Sequence, residues 1–180
     1  MGVVVRWILV GVLLIAGAVS LTLFYRPQPP QPRAIEPNGT PPLFTSPVID
    51  GMKIYKSPLL RFEITYPEEL GVKEYGKADT STIVFEDATG DRGFQVFVVP
   101  YEGETVSEKR FKMDVPSGVM QEPIQVLIDG VTATAFWSTN TLFGETREVW
   151  FIRGGFLYEI TTFKDLDPWL AEIMKSWKFL

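Results

Sequence analysis

The chain has 180 residues, 22 acidic and 17 basic side chains, a net charge of −5, and neither histidine nor cysteine. These absences exclude Ser-His-Asp and Cys-His nucleophile systems, zinc sites built on those residues, haem and iron–sulfur ligation, disulfides and a lipid-modified cysteine anchor. The charge is divided: residues 1–47 hold Arg6, Arg26 and Arg33 against Glu36, a net +2, while residues 48–180 hold 14 basic against 21 acidic groups, a net −7. The acidic part repels a phosphate backbone, so nucleic acid is not an expected partner.

Trp7 to Phe24 is an uncharged apolar run of 18 residues. As a helix it reaches about 27 Å, close to the ~30 Å hydrocarbon core of a bilayer. Residues 1–25 therefore read as an N-terminal transmembrane signal anchor, with the bilayer as a partner through residues 7–24. The rival reading is a cleaved signal peptide, for which Ala16-Gly17-Ala18 supplies a small-residue cleavage pattern. Against it, apolar character continues through Val19, Leu21, Leu23 and Phe24. Positive charge on the two flanks is nearly balanced; a short N-terminal flank with one Arg favours the N-terminus inside and the domain extracytoplasmic.

Residues 26–47 contain eight of the fourteen prolines, which excludes a helix or a central strand there. In polyproline-II geometry the tract spans about 65 Å, a spacer between anchor and domain; a docking peptide for a proline-recognising domain is the alternative. Asn38-Gly39-Thr40 matches a glycosylation acceptor.

From Met52 onward a period of two dominates. Leu60, Phe62, Ile64 and Tyr66 alternate with polar residues until Pro67, and residues 81–86 and 94–101 read as further strands. Residues 125–129 and 131–138 flank Asp129-Gly130, and 148–153 and 156–163 flank Gly154-Gly155, two hairpin signals. Val106–Met113 predicts a short helix at the sheet's margin. Asp167 as N-cap, Pro168 at the first helical position, and Leu170, Ile173, Met174 and Trp177 at helical spacing predict a second, docked on the sheet. Lys178-Phe179-Leu180 reads as an extended tail. The predicted class is α+β, an antiparallel sheet with helices on one face, for residues 48–180.

In order, Tyr55-Lys56-Ser57, FEITYPEEL (62–70), IDGVTA (128–133), EVWFIRGGFLYEITT (148–162) and MKSWKFL (174–180) resemble the PsbP-like domain. That family is known from extrinsic subunits of photosystem II and from small bacterial surface proteins and lipoproteins. The resemblance covers about residues 52–180. It implies a curved antiparallel sheet flanked by helices, association with protein partners, and no shared catalytic set. Without His or a lipidation Cys, the metal sites of photosystem subunits do not carry over, and a photosynthetic role is not implied.

Candidate chemistry is sparse. Glu86, Asp87 and Asp91 could gather hard oxygens around calcium, but their spacing is not that of an EF-hand, and a solvated Asp/Gly turn needs no metal to explain it. Glu68, Glu69, Glu102 and Glu104 could include an acid/base pair for glycan hydrolysis. Trp137 and Trp150 on paired strands could line a groove, or with Phe156 and Tyr158 form core. Leu142 and Phe143, in the loop 138–145, are the candidate partner-binding residues. No motif calls for a cofactor. The leading reading is a membrane-tethered, non-catalytic binding or assembly module with an envelope protein partner; the alternative is a surface hydrolase using carboxylates alone.

Overall fold

In the computed structural model, residues 51–77, 80–141 and 144–180 are described. The apolar run, the proline tract and the pair Leu142 and Phe143 lie outside them. Among the described residues no helix is long and apolar enough to cross a membrane.

Among the described residues, ten strands form two antiparallel sheets. The small sheet has the order β1-β2-β10, built from β1 (Met52–Ser57), β2 (Phe62–Pro67) and β10 (Lys178–Phe179). The large sheet has the order β3-β4-β5-β9-β8-β7-β6. Its strands are β3 (Gly71–Lys77), β4 (Thr80–Glu86), β5 (Gly93–Pro100), β6 (Val119–Ile128), β7 (Val131–Asn140), β8 (Gly144–Arg153) and β9 (Phe156–Phe163). Both two-residue hairpins form as read. Asp129 and Gly130 have φ of 46° and 79°, and Gly154 and Gly155 have 59° and 82°. Two consecutive positive φ values define the turn whose twist matches the flanking strands. Edge strand β6 is interrupted where Glu122 adopts φ of 49° and the register slips between Gln121 and Ile124. That bulge accommodates Pro123, which an edge strand tolerates because its missing N–H faces no partner.

The period switch at the C-terminus becomes helix α2 (Asp167–Met174), preceded by a 3-10 turn at Lys164–Leu166. Leu166 is the N-cap and no side chain caps it. The Asp167 carboxylate instead accepts the Arg147 guanidinium at 2.9 Å. Leu170, Ile173 and Met174 are buried in the main core with Phe62, Ile64, Phe85, Val96, Phe151 and Trp177. The expected tail is a strand: β10 pairs with β2, and the Phe179 ring packs against Phe151, Tyr158 and Trp177.

Helix α1 (Glu108–Asp114) begins where Ser107 Oγ accepts the Arg110 N–H. It lies over the opposite face of the large sheet, with Phe111 buried among Phe136, Trp150 and Leu157. The helices thus cover both faces, not one. The strands explain this: β8 alternates Glu148 and Trp150, buried toward α1, with Val149 and Phe151, buried toward α2. A strand apolar on both faces needs a cover on each. Of the two readings for Trp137 and Trp150, groove or core, the structure gives core for Trp150 and no shared groove. Trp150 faces α1, whereas Trp137 pairs in register with Arg147 on the other face.

Candidate functional site

Of the carboxylates singled out from sequence, Asp87 and Glu86 serve the fold. Asp87 Oδ1 accepts from the amides of Thr89, Gly90 and Asp91 and from the Thr89 hydroxyl, closing the β4–β5 loop. Glu86 is bound by Lys73 Nζ at 2.5 Å. Glu69, Glu86 and Asp87 do line one open hollow, with Lys73 between them. Among the described residues no three acidic groups are placed to hold a metal ion. Glu69 lies 3.7 Å from Arg92, in the loop entering β5, while Glu102 and Glu104 follow its far end. Eight residues of strand separate the two groups by roughly 25 Å, too far for them to share one scissile bond.

Two features emerge that the sequence reading missed. The first is an acid cluster under α1. Glu148 on β8 and Glu159 on β9 are 3 % and 4 % exposed. Glu148 is a satisfied acceptor: Oε1 takes the Thr146 hydroxyl at 2.8 Å, and Oε2 takes Thr161 Oγ1 at 2.6 Å and Trp150 Nε1 at 3.2 Å. Burial nonetheless pushes its carboxyl up to about 7 against the pull of these donors. Glu159 is raised further above the ordinary range, by burial first and then by the adjacent Asp114 carboxyl at the end of α1. Burial also raises Asp114. Arg110 grips Asp114, with Nη2 at 2.9 Å from Oδ1, while its contact to Glu159 Oε1 is 3.7 Å, beyond a hydrogen bond. Among the described residues Glu159 Oε1 thus has no donor, and Gln95 Oε1 and Ser138 Oγ on the same sheet face have no partner. Burial and the adjacent Asp114 carboxyl both favour the protonated form of Glu159, while Arg110 favours the charged form of Asp114.

The second feature is an arginine rim. The domain's five arginines, 61, 92, 110, 147 and 153, each lie over an aromatic ring: Phe156, Trp169, Tyr101, Trp137 and Phe179 respectively. Three of them also meet a carboxylate: Arg92 with Glu69, Arg110 with Asp114 and Arg147 with Asp167. Arg61 and Arg153 meet none among the described residues, and both are exposed. They share one end of the molecule. Arg61, at φ of 58° in the β1–β2 turn, points its Nη1 to within 3.2 Å of where a Gly154 side chain would begin, and Arg153 precedes that glycine. Both guanidinium charges act on Tyr158, whose phenol is raised by burial and opposed by them. Asp129, whose carboxylate feels the Arg153 charge, is occupied by Lys178 Nζ and the Phe179 N–H. Exposed Leu59 and Leu180 flank the rim.

An open groove of about 200 Å³ runs between α2 and edge strand β6, with Leu127 73 % exposed on its lip. Val126, Ile128, Leu170 and Met174 line it.

These elements define an α+β domain in which one large antiparallel sheet is sandwiched between a short helix and a second layer of helix and small sheet. No protein-family model and no curated protein matches the chain. Among solved structures, cyanobacterial PsbP (CyanoP) from Synechocystis sp. PCC 6803, determined in solution, matches with a TM-score of 0.57 at 13 % identity. The match covers 77 % of this chain and 99 % of that one. The domain is PsbP-like in fold, and the likeness resides in the fold, not in shared side chains.

Proposed function

We propose that the chain is a non-catalytic binding module of PsbP-like type, tethered to a membrane through residues 7–24, with its domain outside the cytoplasm. The observation that carries the binding reading is the arginine rim. On a domain of net charge −7, two exposed guanidiniums with no carboxylate partner among the described residues stand on aromatic faces beside exposed apolar side chains. Guanidinium pairs of this kind recognise carboxylate or phosphate forks, and stacking on a ring preorganises them. The fitting partner is a protein surface that presents acidic side chains with an apolar border. The carboxylate-only hydrolase is less well supported, because its candidates Glu68 and Glu69 stand a strand length from Glu102 and Glu104.

Arg61→Glu combined with Arg153→Glu should abolish capture of the envelope partner that full-length protein retains, with the melting temperature nearly unchanged. Equal capture by the double variant would remove the rim from the contact. The tether is tested separately. Alkaline carbonate washing should leave the protein in the membrane pellet, and protease added to spheroplasts should remove the domain. Release by carbonate, or complete protection, would contradict the respective half of the proposal.

A further inference from the structure

Helix α1 is only seven residues long, and its hold on the sheet is of two kinds. One is a single buried ring: Phe111 sits 5.2 Å from Phe136 and 5.6 Å from Trp150. The other is polar and lies at the helix C-terminal end, where Arg110 and Asp114 meet Glu159. The remaining charged groups of α1 do not reach the sheet. Glu108 and Lys109 are exposed, and Lys112 Nζ donates to the Gly118 carbonyl in the following loop.

We infer that α1 is a proton-operated latch: it stays closed over the Phe136–Trp150–Leu157 pocket while the Asp114–Glu159 pair holds one proton, and it lifts when that proton is lost to solvent. With the proton present, one acid donates to the other, and Arg110 neutralises the remaining negative charge. Without it, two carboxylates face one guanidinium in a buried site, and Glu148 on β8 adds a third acidic group close by. Among the described residues the other elements offer no compensating cation. Tyr101, from the loop before α1, places its ring against Arg110, β7 presents Phe136 and Ser138, and β5 presents Gln95, all uncharged. The sheet cannot move apart to relieve this repulsion, because its carboxylates are fixed on paired central strands β8 and β9. The short helix can. Lifting it solvates Asp114 and Glu159 and uncovers an aromatic surface on the face opposite the groove beside α2. Burial raises all three acids above their ordinary values, so the transition lies above the usual carboxylate range.

The test is hydrogen exchange of the full chain at about pH 5.5 and about pH 8.5, corrected for the intrinsic pH dependence of exchange. Protection of the α1 amides should fall by at least about tenfold at the higher pH while β8 and β9 keep theirs, a change of one decade per titrating unit. Glu159→Gln supplies a permanent amide donor to Asp114 and should hold α1 protected at both values. Should that variant fold poorly, Asp114→Asn places the amide donor on the helix side and should do the same. Constant protection of α1 in the wild-type chain, loss in step with the whole sheet, or an undiminished change in the amide variants would overturn the latch.

Discussion

Replacing Trp177 with alanine is expected to lower stability by about 3–5 kcal/mol in urea denaturation, the usual cost of deleting a fully buried indole. The side chain is 1 % exposed and joins three elements. It stacks on Phe62 of β2 at 4.3 Å and 6°, and meets Phe151 of β8 and Tyr158 of β9 edge to face. Its Nε1 has no acceptor among the described residues, so the contribution they show is packing. The loss should loosen β10 as well, since Phe179 packs on the same indole. A change within ~0.5 kcal/mol would mean that the helix and small sheet are not docked as described.

Stability should fall as pH rises from about 5 to about 8. Glu148 is raised in the folded state from an ordinary 4.5 to about 7, so between those values the folded domain binds more protons than the unfolded chain. Its contribution is fully present below the unfolded value and is lost as pH climbs through the folded one. For Glu148 alone the difference is roughly 3 kcal/mol, and Glu159 acts in the same direction. Glu148→Gln should flatten the slope and stabilise the domain at pH 8. The amide oxygen can accept from Thr161 and Trp150, and its nitrogen can donate to Thr146 Oγ1, which is free to donate onward to the Ser138 carbonyl. Asp129 works oppositely and lower: bonds from the Phe179 amide and Lys178 hold its carboxyl below the ordinary value, so its contribution is lost only in acid. Urea midpoints that stay level from pH 5 to 8 would contradict the buried cluster.

Much of the fold was legible because it depends on local rules. Alternation at 60–66, the two turns with positive φ and the amphipathic stretch ending in Trp177 each specify their element without reference to the rest of the chain. Strand β3 escaped notice because GVKEYGK (71–77) has no apolar alternation; it is an edge strand that packs little side chain. The two-sided burial of the large sheet was present in the sequence in a different form. IVF (83–85), VWFI (149–152) and FLYEI (156–160) are nearly continuous apolar runs, the pattern of strands covered on both faces. Within those strands Gln95, Glu148 and Glu159 stand out as polar residues where water cannot reach, and they mark the acid cluster. Its partners Arg110 and Asp114 could not be found this way, because their meeting with Glu159 depends on where α1 lands. The arginine rim is equally tertiary: Arg61 and Arg153 are 92 positions apart in sequence and are brought together by the glycine turn between β8 and β9.

The binding reading is tested most directly by lysine-directed cross-linking of the full-length protein in intact membranes. Lys56 and Lys178 are 57 % and 58 % exposed and flank the rim. Partner cross-links should concentrate on these two and disappear with the charge reversal of Arg61 and Arg153. Cross-links centred instead on Lys109 and Lys112 of α1, or on Lys73 of β3, and unchanged by that reversal, would contradict the assignment of the rim as the contact.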